Sequence, residues 1–124
     1  CLRDSIVLAD LIQYPLLVRE KGSAGRTFLD HVFAAHGIDF VPLWESASTQ
    51  ALIQAVSAGI GISVLPERLV QRDLAEGRIC THPIEDETFR RNNYIVWHHQ
   101  KFLTDTAKDF IALCHQHSTK AGEP

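Results

Sequence analysis

With 124 residues, 45% hydrophobic and 22% charged, the chain has the composition of one ordinary globular domain, which excludes disordered, collagen-like and low-complexity classes. Its formal charge of −3, from 12 Lys and Arg against 15 Asp and Glu, has the wrong sign for a freestanding nucleic-acid binder. A chain this long buries enough surface to fold without a cofactor or staple, and its three cysteines, Cys1, Cys80 and Cys114, lack C-x-x-C spacing, which favours a reducing cytoplasm over a disulfide framework.

Cys1 to Ser5 show neither an initiator Met nor a signal-peptide pattern, so the chain is expected to begin inside a longer protein. No apolar run reaches the roughly 18 residues that span a bilayer. The apolar stretch Ile6–Ile12 ends at Tyr14-Pro15, where the residue before proline is pushed out of helix and a turn is expected. Leu16-Leu17-Val18 reads as a short buried strand. From Ala24 to His36, Phe28, Leu29, Val32 and Phe33 recur at helical spacing, with Ser23 as N-cap and Gly37 as stop. Phe40–Trp44 is β-prone, and Pro42 makes it an edge strand or a strand start.

Ser46 and Ser48 are alternative N-caps for a second helix running to about Ala58, with Leu52, Ile53 and Val56 as its apolar stripe. Gly59-Ile60-Gly61 reads as a helix stop and a close backbone approach at the start of a strand over Ile62–Leu65. A third helix opens on Pro66, carries Leu69, Val70 and Leu74, and ends at Gly77. Further strands are expected over Ile79–Ile84 and Tyr94–Trp97, with a polar loop from Glu85 to Asn93 between them. Thr104 caps a last helix with Ala107, Phe110, Ile111 and Cys114 on one stripe, and the tail after His117 should fray. This alternation predicts an α/β sheet with helices on its faces.

In open α/β sheets, ligands sit where strand carboxyl ends meet helix N-termini. Two stretches fit that description. Arg19–Arg26 combines a strand end, a hydroxyl at a helix N-cap and three nearby cations, and Glu45–Thr49 enters a helix through hydroxyls. They read either as a cradle for a small anion or as routine caps with solvated charges. Gly59-Ile60-Gly61 follows a helix and precedes a strand, the reverse of a pyrophosphate-binding turn. Among the seven histidines, His31 and His36 diverge on their helix, His98 and His99 follow a strand as solvated or locally bonded rings, and Cys114, His115 and His117 lack a fourth ligand nearby, so no metal is expected. Glu85-Asp86-Glu87 reads as a solvated run. Nucleophile elbow, H-E-x-x-H and Walker patterns are missing from the sequence, so no enzyme is expected.

The segment Tyr14-Pro15-Leu16-Leu17-Val18-Arg19-Glu20-Lys21-Gly22-Ser23-Ala24-Gly25-Arg26 resembles the "P-L-I-x-R-E-x-G-S-x-x-R" segment of LysR-type transcriptional regulators. Gln50 to Pro66 is similar to the family's "V-x-A-G-x-G-I-x-x-L-P". The resemblance, over about residues 8–117, implies part of a type II periplasmic-binding-protein-like effector-binding domain within residues 1–117. Residues 16–98 would form mainly the second lobe, 99–117 would return to the first, and 118–124 would be a disordered tail. It implies a small-molecule effector in a cleft between two lobes, with Arg19, Glu20 and Ser23 on one side and Val64, Leu65 and Pro66 on the other; the charges and cap of the first group make an anionic metabolite the expected effector, and no cofactor is expected. It further implies a homodimer or homotetramer formed through Ala24–His36 and Phe40–Trp44, a cytoplasmic location without membrane contact, and DNA contact only through a helix-turn-helix preceding the matched region. A lobe of a periplasmic-type solute-binding protein is the alternative, and it would need a signal peptide.

Overall fold

The computed structural model describes residues 6–87, 89 and 94–118, in two compact units, Cys1–Phe89 and Arg90–Pro124. In the first unit a 3-10 helix at Leu8–Gln13 is followed by β1 (Leu17–Arg19), α1 (Ala24–Ala35), β2 (Trp44–Ser46) and α2 (Thr49–Ser57), then a 3-10 turn at Glu67–Leu69 and α3 (Gln71–Ala75). The second unit holds α4 (Asp105–Ser118).

β1 and β2 pair in parallel, with Leu17 opposite Trp44, Val18 opposite Glu45 and Arg19 opposite Ser46. On the other side of β1, Ile62 makes a parallel bridge to Leu16, with Leu17 N–H donating to Ile62 O at 2.9 Å and Ile62 N–H to Pro15 O at 3.0 Å. The spatial order is therefore β2, β1, Ile62. The chain crosses from β1 to β2 through α1, then returns past β1 through α2.

Side chains alternate across a strand, and β1 divides the core accordingly. Leu16 and Val18 pack with Leu8, Leu11, Leu29, Val32 and Phe33 on the α1 face, while Leu17 packs with Leu52 and Ala55 of α2 on the other. Phe33, Leu8, Leu17, Leu52 and Ile53 are the largest side chains removed entirely from water, each worth about 1.5–3 kcal/mol of transfer free energy. Thus the three-residue β1 is sandwiched between helices, which explains why its residues read as a continuous apolar run.

Helix boundaries follow the caps. Ser23 Oγ accepts from Arg26 N–H, Ser48 Oγ accepts from Ala51 N–H, and Thr104 Oγ1 accepts from Ala107 N–H at 3.3 Å, each satisfying an N–H that the first helical turn leaves free. α2 stops at Gly59, whose φ of +74° is open to glycine. A Cβ at Gly61 would collide with the Pro15 carbonyl oxygen and Cβ, so the expected close approach is that of residue 61 to Pro15.

The strands differ more. The expected Phe40–Trp44 strand is displaced to Trp44–Ser46, because Pro42 has no N–H and the ladder begins only where Leu43 N–H donates to Leu16 O at 2.8 Å. Ile62–Leu65 and Ile79–Ile84 are reduced to single bridges, Leu16 with Ile62 and Ile6 with Ile84. Pro83 again removes a donor from the latter segment, although its carbonyl accepts from Ile6 N–H. Tyr94–Trp97 forms no strand, and Tyr94 and Val96 are 79% and 86% exposed. The Ile6–Ile12 stretch contains most of the first 3-10 helix, whose Leu8 N–H donates to Asp86 Oδ1 at 2.8 Å across 78 positions of sequence. The third helix is split at Val70 into the 3-10 turn and α3. Fraying after His117 concerns residues that, beyond Ser118, lie outside those described. The Glu85–Asn93 loop is described only in part, with a turn at Glu85 and Asp86. Cys80 is disulfide-bonded, against the expectation of reduced cysteines, and Cys114 is the free cysteine among the described residues.

Candidate functional site

The strand order turns back on itself between β1 and Ile62. Helices leaving neighbouring strands in opposite directions open a crevice at such a point, outside the carboxyl ends of the strands. The chain leaves β1 through Arg19, Glu20 and Ser23 and leaves the Ile62 bridge through Val64, Leu65 and Pro66. The first group, marked by its charges and hydroxyl, and the second, implied by the family resemblance, therefore both leave their strands on the carboxyl side of this reversal.

Arg19 is half-buried and committed. Its Nε and Nη2 donate to the two carboxylate oxygens of Glu20 at 2.9 and 3.1 Å, and its Nη1 donates to Thr49 Oγ1 at 2.9 Å. A planar guanidinium suits this two-point grip. The contact to Thr49, the first residue of α2, ties the end of β1 to a helix entry. The Arg19 hydrogen bond also holds the Glu20 carboxyl below its ordinary value of 4.5. Ser23 Oγ is engaged as a cap, accepting from Arg26 N–H at 3.2 Å, which uses one of its two lone pairs and leaves the hydroxyl able to donate. Ser46 Oγ accepts from Ser48 N–H at 3.1 Å, and Glu20 N–H donates to Ser46 O at 3.3 Å. The two hydroxyl-bearing entries, 19–23 and 46–49, are thus joined along one edge of the sheet.

Beneath this edge lies Arg26, which the sequence grouped with the nearby cations but did not identify as a brace. It is 6% exposed. Its Nε donates to Asp30 Oδ1 at 2.7 Å, while Nη1 donates to Glu45 Oε1 at 2.8 Å and to Arg19 O at 3.3 Å. The guanidinium also lies 5.4 Å from the centre of the Phe40 ring. Burial opposes its charge, but the hydrogen bonds to Glu45 and Asp30 outweigh that and raise its pKa. Reciprocally, the Arg26 hydrogen bond keeps the Glu45 carboxyl below its ordinary 4.5. The i,i+4 spacing of Arg26 and Asp30 was the available sequence signal; the pairing with Glu45 depends on the sheet register.

On the far side, Val64 is half-buried against the α1-face core and Leu65 against the α2-face core, with Pro66 exposed. They supply apolar wall and no charge. Gly59 and Gly61 serve the helix stop and the approach to Pro15, as expected for a motif in that order. His36 Nδ1 donates to Val32 O at 3.0 Å, and its Nε2 is 3.6 Å from Glu87 Oε2. Among the described residues no group of three or more metal-ligating side chains is gathered, and no described helix is long and apolar enough to cross a membrane.

Residues 2–119 match the family model for the LysR substrate binding domain. Similar proteins include the HTH-type transcriptional regulator CysL of Bacillus subtilis (strain 168), 33% identical over 112 residues, or 90% of this chain and 36% of that protein. CbbR of Rhodospirillum rubrum, also an HTH-type regulator, is 30% identical over 111 residues, covering 90% and 37%. YeiE of Escherichia coli (strain K12) is 28% identical over 112 residues, covering 90% and 38%. The chain thus spans little more than a third of the length of these relatives. Among solved structures, the effector binding domain of QuiR in complex with shikimate aligns with a TM-score of 0.81 at 23% identity, covering 95% of this chain and 55% of that one.

Proposed function

The chain belongs to the LysR substrate-binding domain family, and from that premise we propose that it is the effector-sensing and oligomerisation module of a bacterial transcriptional regulator, which takes a small anionic metabolite at the carboxyl edge of β1 and Ile62. The fold is the α/β, type II periplasmic-binding-protein-like kind seen in the QuiR domain. The observation that carries the reading is the reversal of strand order, with Arg19, Glu20 and Ser23 leaving one strand and Val64, Leu65 and Pro66 leaving the other. In this reading residues 16–98 are mainly the second lobe of the domain and 99–117 return to the first. The HTH-type relatives favour a regulator over a lobe of a periplasmic-type solute-binding protein, and a cytoplasmic location goes with the regulator.

Anion preference rests on three features. The start of α1 directs its positive end toward the crevice, worth about 0.3–1 kcal/mol at an exposed site. Ser23 retains a hydroxyl proton, and Lys21 is exposed beside it. Arg19 contributes less than a free arginine would, since Glu20 already compensates its charge. DNA contact is assigned to a helix-turn-helix domain outside these residues. For self-association we assign α1 and the edge formed by β2, flanked by Val41 and Leu43 at 92% and 61% exposure, with Trp44 at 42%.

The test is calorimetric titration of the full-length regulator with a panel of small carboxylates. Shikimate is the first probe, because the QuiR domain is complexed with it. Arg19→Ala and Ser23→Ala should each weaken the binding of whichever probe binds the wild type. If neither loses more than about twofold, roughly 0.4 kcal/mol, these residues are structural and the proposed site is wrong.

A further inference from the structure

The polar groups at the carboxyl end of β1 are not equally open to a ligand. Arg19 turns its Nε and Nη2 edge to Glu20, donating at 2.9 and 3.1 Å to the two carboxylate oxygens, and its Nη1 to Thr49 Oγ1. That edge is the one a ligand carboxylate would use for a two-point grip, and Glu20 fills it. Glu20 itself is the more open member of the pair, 40% exposed against 28% for Arg19. Each of its oxygens accepts one bond from Arg19, whereas an ionised carboxylate offers about four acceptor positions in all. Because the Arg19 hydrogen bond holds its carboxyl below the ordinary value, Glu20 is an acceptor and not a donor at neutral pH.

Charge balance points the same way. Around this edge three cations, Arg19, Lys21 and Arg26, stand with three carboxylates, Glu20, Asp30 and Glu45. Lys21 is not independent of that set, since after Arg26 it too favours the ionised form of Glu45. The edge therefore has no surplus positive charge to hold a dianion, and a ligand carboxylate set against Glu20 would meet like charge. A hydroxyl or ammonium set there would instead donate to a charged acceptor, which is among the stronger kinds of hydrogen bond.

We propose that Glu20 determines specificity: the crevice takes a monocarboxylate that also carries a hydroxyl or ammonium group, with that donor on Glu20 and the carboxylate toward Ser23 and Lys21. This rests on the reading of the crevice as the effector site and narrows its ligand from small anions to donor-bearing monocarboxylates. Arg19 is then a positioning residue, which fixes the Glu20 carboxylate between the end of β1 and the entry to α2. A site whose buried or fixed acceptor goes unpaired discriminates strongly against the analogue that lacks the donor.

Calorimetric titration of the full-length regulator tests this with two carbon skeletons, each in four forms. The linear set is butyrate, 3-hydroxybutyrate, 3-aminobutyrate and succinate. The ring set is cyclohexanecarboxylate, its 3-hydroxy and 3-amino derivatives, and cyclohexane-1,3-dicarboxylate. In at least one set the hydroxy or amino form should bind about tenfold tighter than the unsubstituted acid and the dicarboxylate, and whichever of the two leads identifies the donor. Glu20→Gln keeps the side-chain length and one acceptor oxygen but loses the charge; it should erase most of that preference and bring the dicarboxylate level or ahead. An unsubstituted acid or a dicarboxylate ranked first in the wild type, a ranking unchanged in Glu20→Gln, or no heat from any probe would overturn selection by Glu20. Should Glu20→Gln not fold, the wild-type ranking decides. Failure of the crevice reading looks different: a donor-bearing form leads, but Arg19→Ala and Ser23→Ala each keep its affinity within about twofold, which overturns the site and this inference with it.

Discussion

Arg26 shows how one side chain sets the geometry of the candidate site. Its guanidinium is buried, but Asp30 and Glu45 are 42% and 36% exposed, so the group joins the edge of the core to solvated carboxylates. Arg26→Met keeps much of the apolar stem and removes the charge. It should cost about 1–3 kcal/mol in urea unfolding, and the β1–α1 turn should loosen because Arg19 O loses its donor. The pH dependence follows from the carboxylate. Glu45 is held below 4.5 in the folded chain, so its contribution is present above that unfolded value and is lost as pH falls through the lower folded one. Acid unfolding of the wild type should therefore show this component below about pH 4.5, and Arg26→Met should have a shallower slope there. Gly61→Ala gives a contrasting residue-scale test, since the added methyl meets the Pro15 backbone rather than a movable side chain. It should destabilise by about 2–3 kcal/mol or more, measured by the same unfolding curve.

For whole elements, the caps and one long-range contact matter most. Ser48→Ala removes the acceptor for Ala51 N–H and should cost about 0.5–2 kcal/mol. Ser23→Ala should cost a similar amount, so any loss of ligand affinity in that variant must be measured where the chain remains folded. The 3-10 helix at Leu8–Gln13 has no side-chain cap of its own; Asp86 supplies one from the other end of the unit. Asp86→Ala should destabilise by about 1 kcal/mol and raise the hydrogen-exchange rate of the Leu8 amide more than those of α1. Equal increases across α1 and Leu8 would contradict a local role for Asp86.

The whole molecule has a net charge of −3 and a parallel sheet whose β2 edge is uncovered among the described residues. Exposed Val41, Leu43 and Trp44 beside that edge make self-association the expected outcome. Sedimentation at high micromolar concentration should show species heavier than a monomer, and Trp44→Lys should reduce them. A clean monomer for the wild type would oppose the assignment of this surface. The same net charge predicts no sequence-specific shift of duplex DNA by this chain alone in a gel assay.

Helices were legible in the sequence because their information is local. The Phe28, Leu29, Val32 and Phe33 stripe, the capping serines and Gly59 define α1 and the end of α2 within a few residues. The β1 run was also readable, since a compact apolar segment closed by charges marks a strand covered on both faces. Strand extent was not: a strand exists only where a partner offers its carbonyls, and Pro42 and Pro83 interrupt ladders that apolar composition alone suggests. Likewise, the sequence contained every member of the Arg26 cluster, but the parallel register of Val18 opposite Glu45 decided that Glu45, not a nearer carboxylate, would share the arginine with Asp30. Local propensity fixes periodic elements through contacts a few residues apart, whereas burial of a charge such as that of Arg26 depends on partners that only tertiary packing brings together.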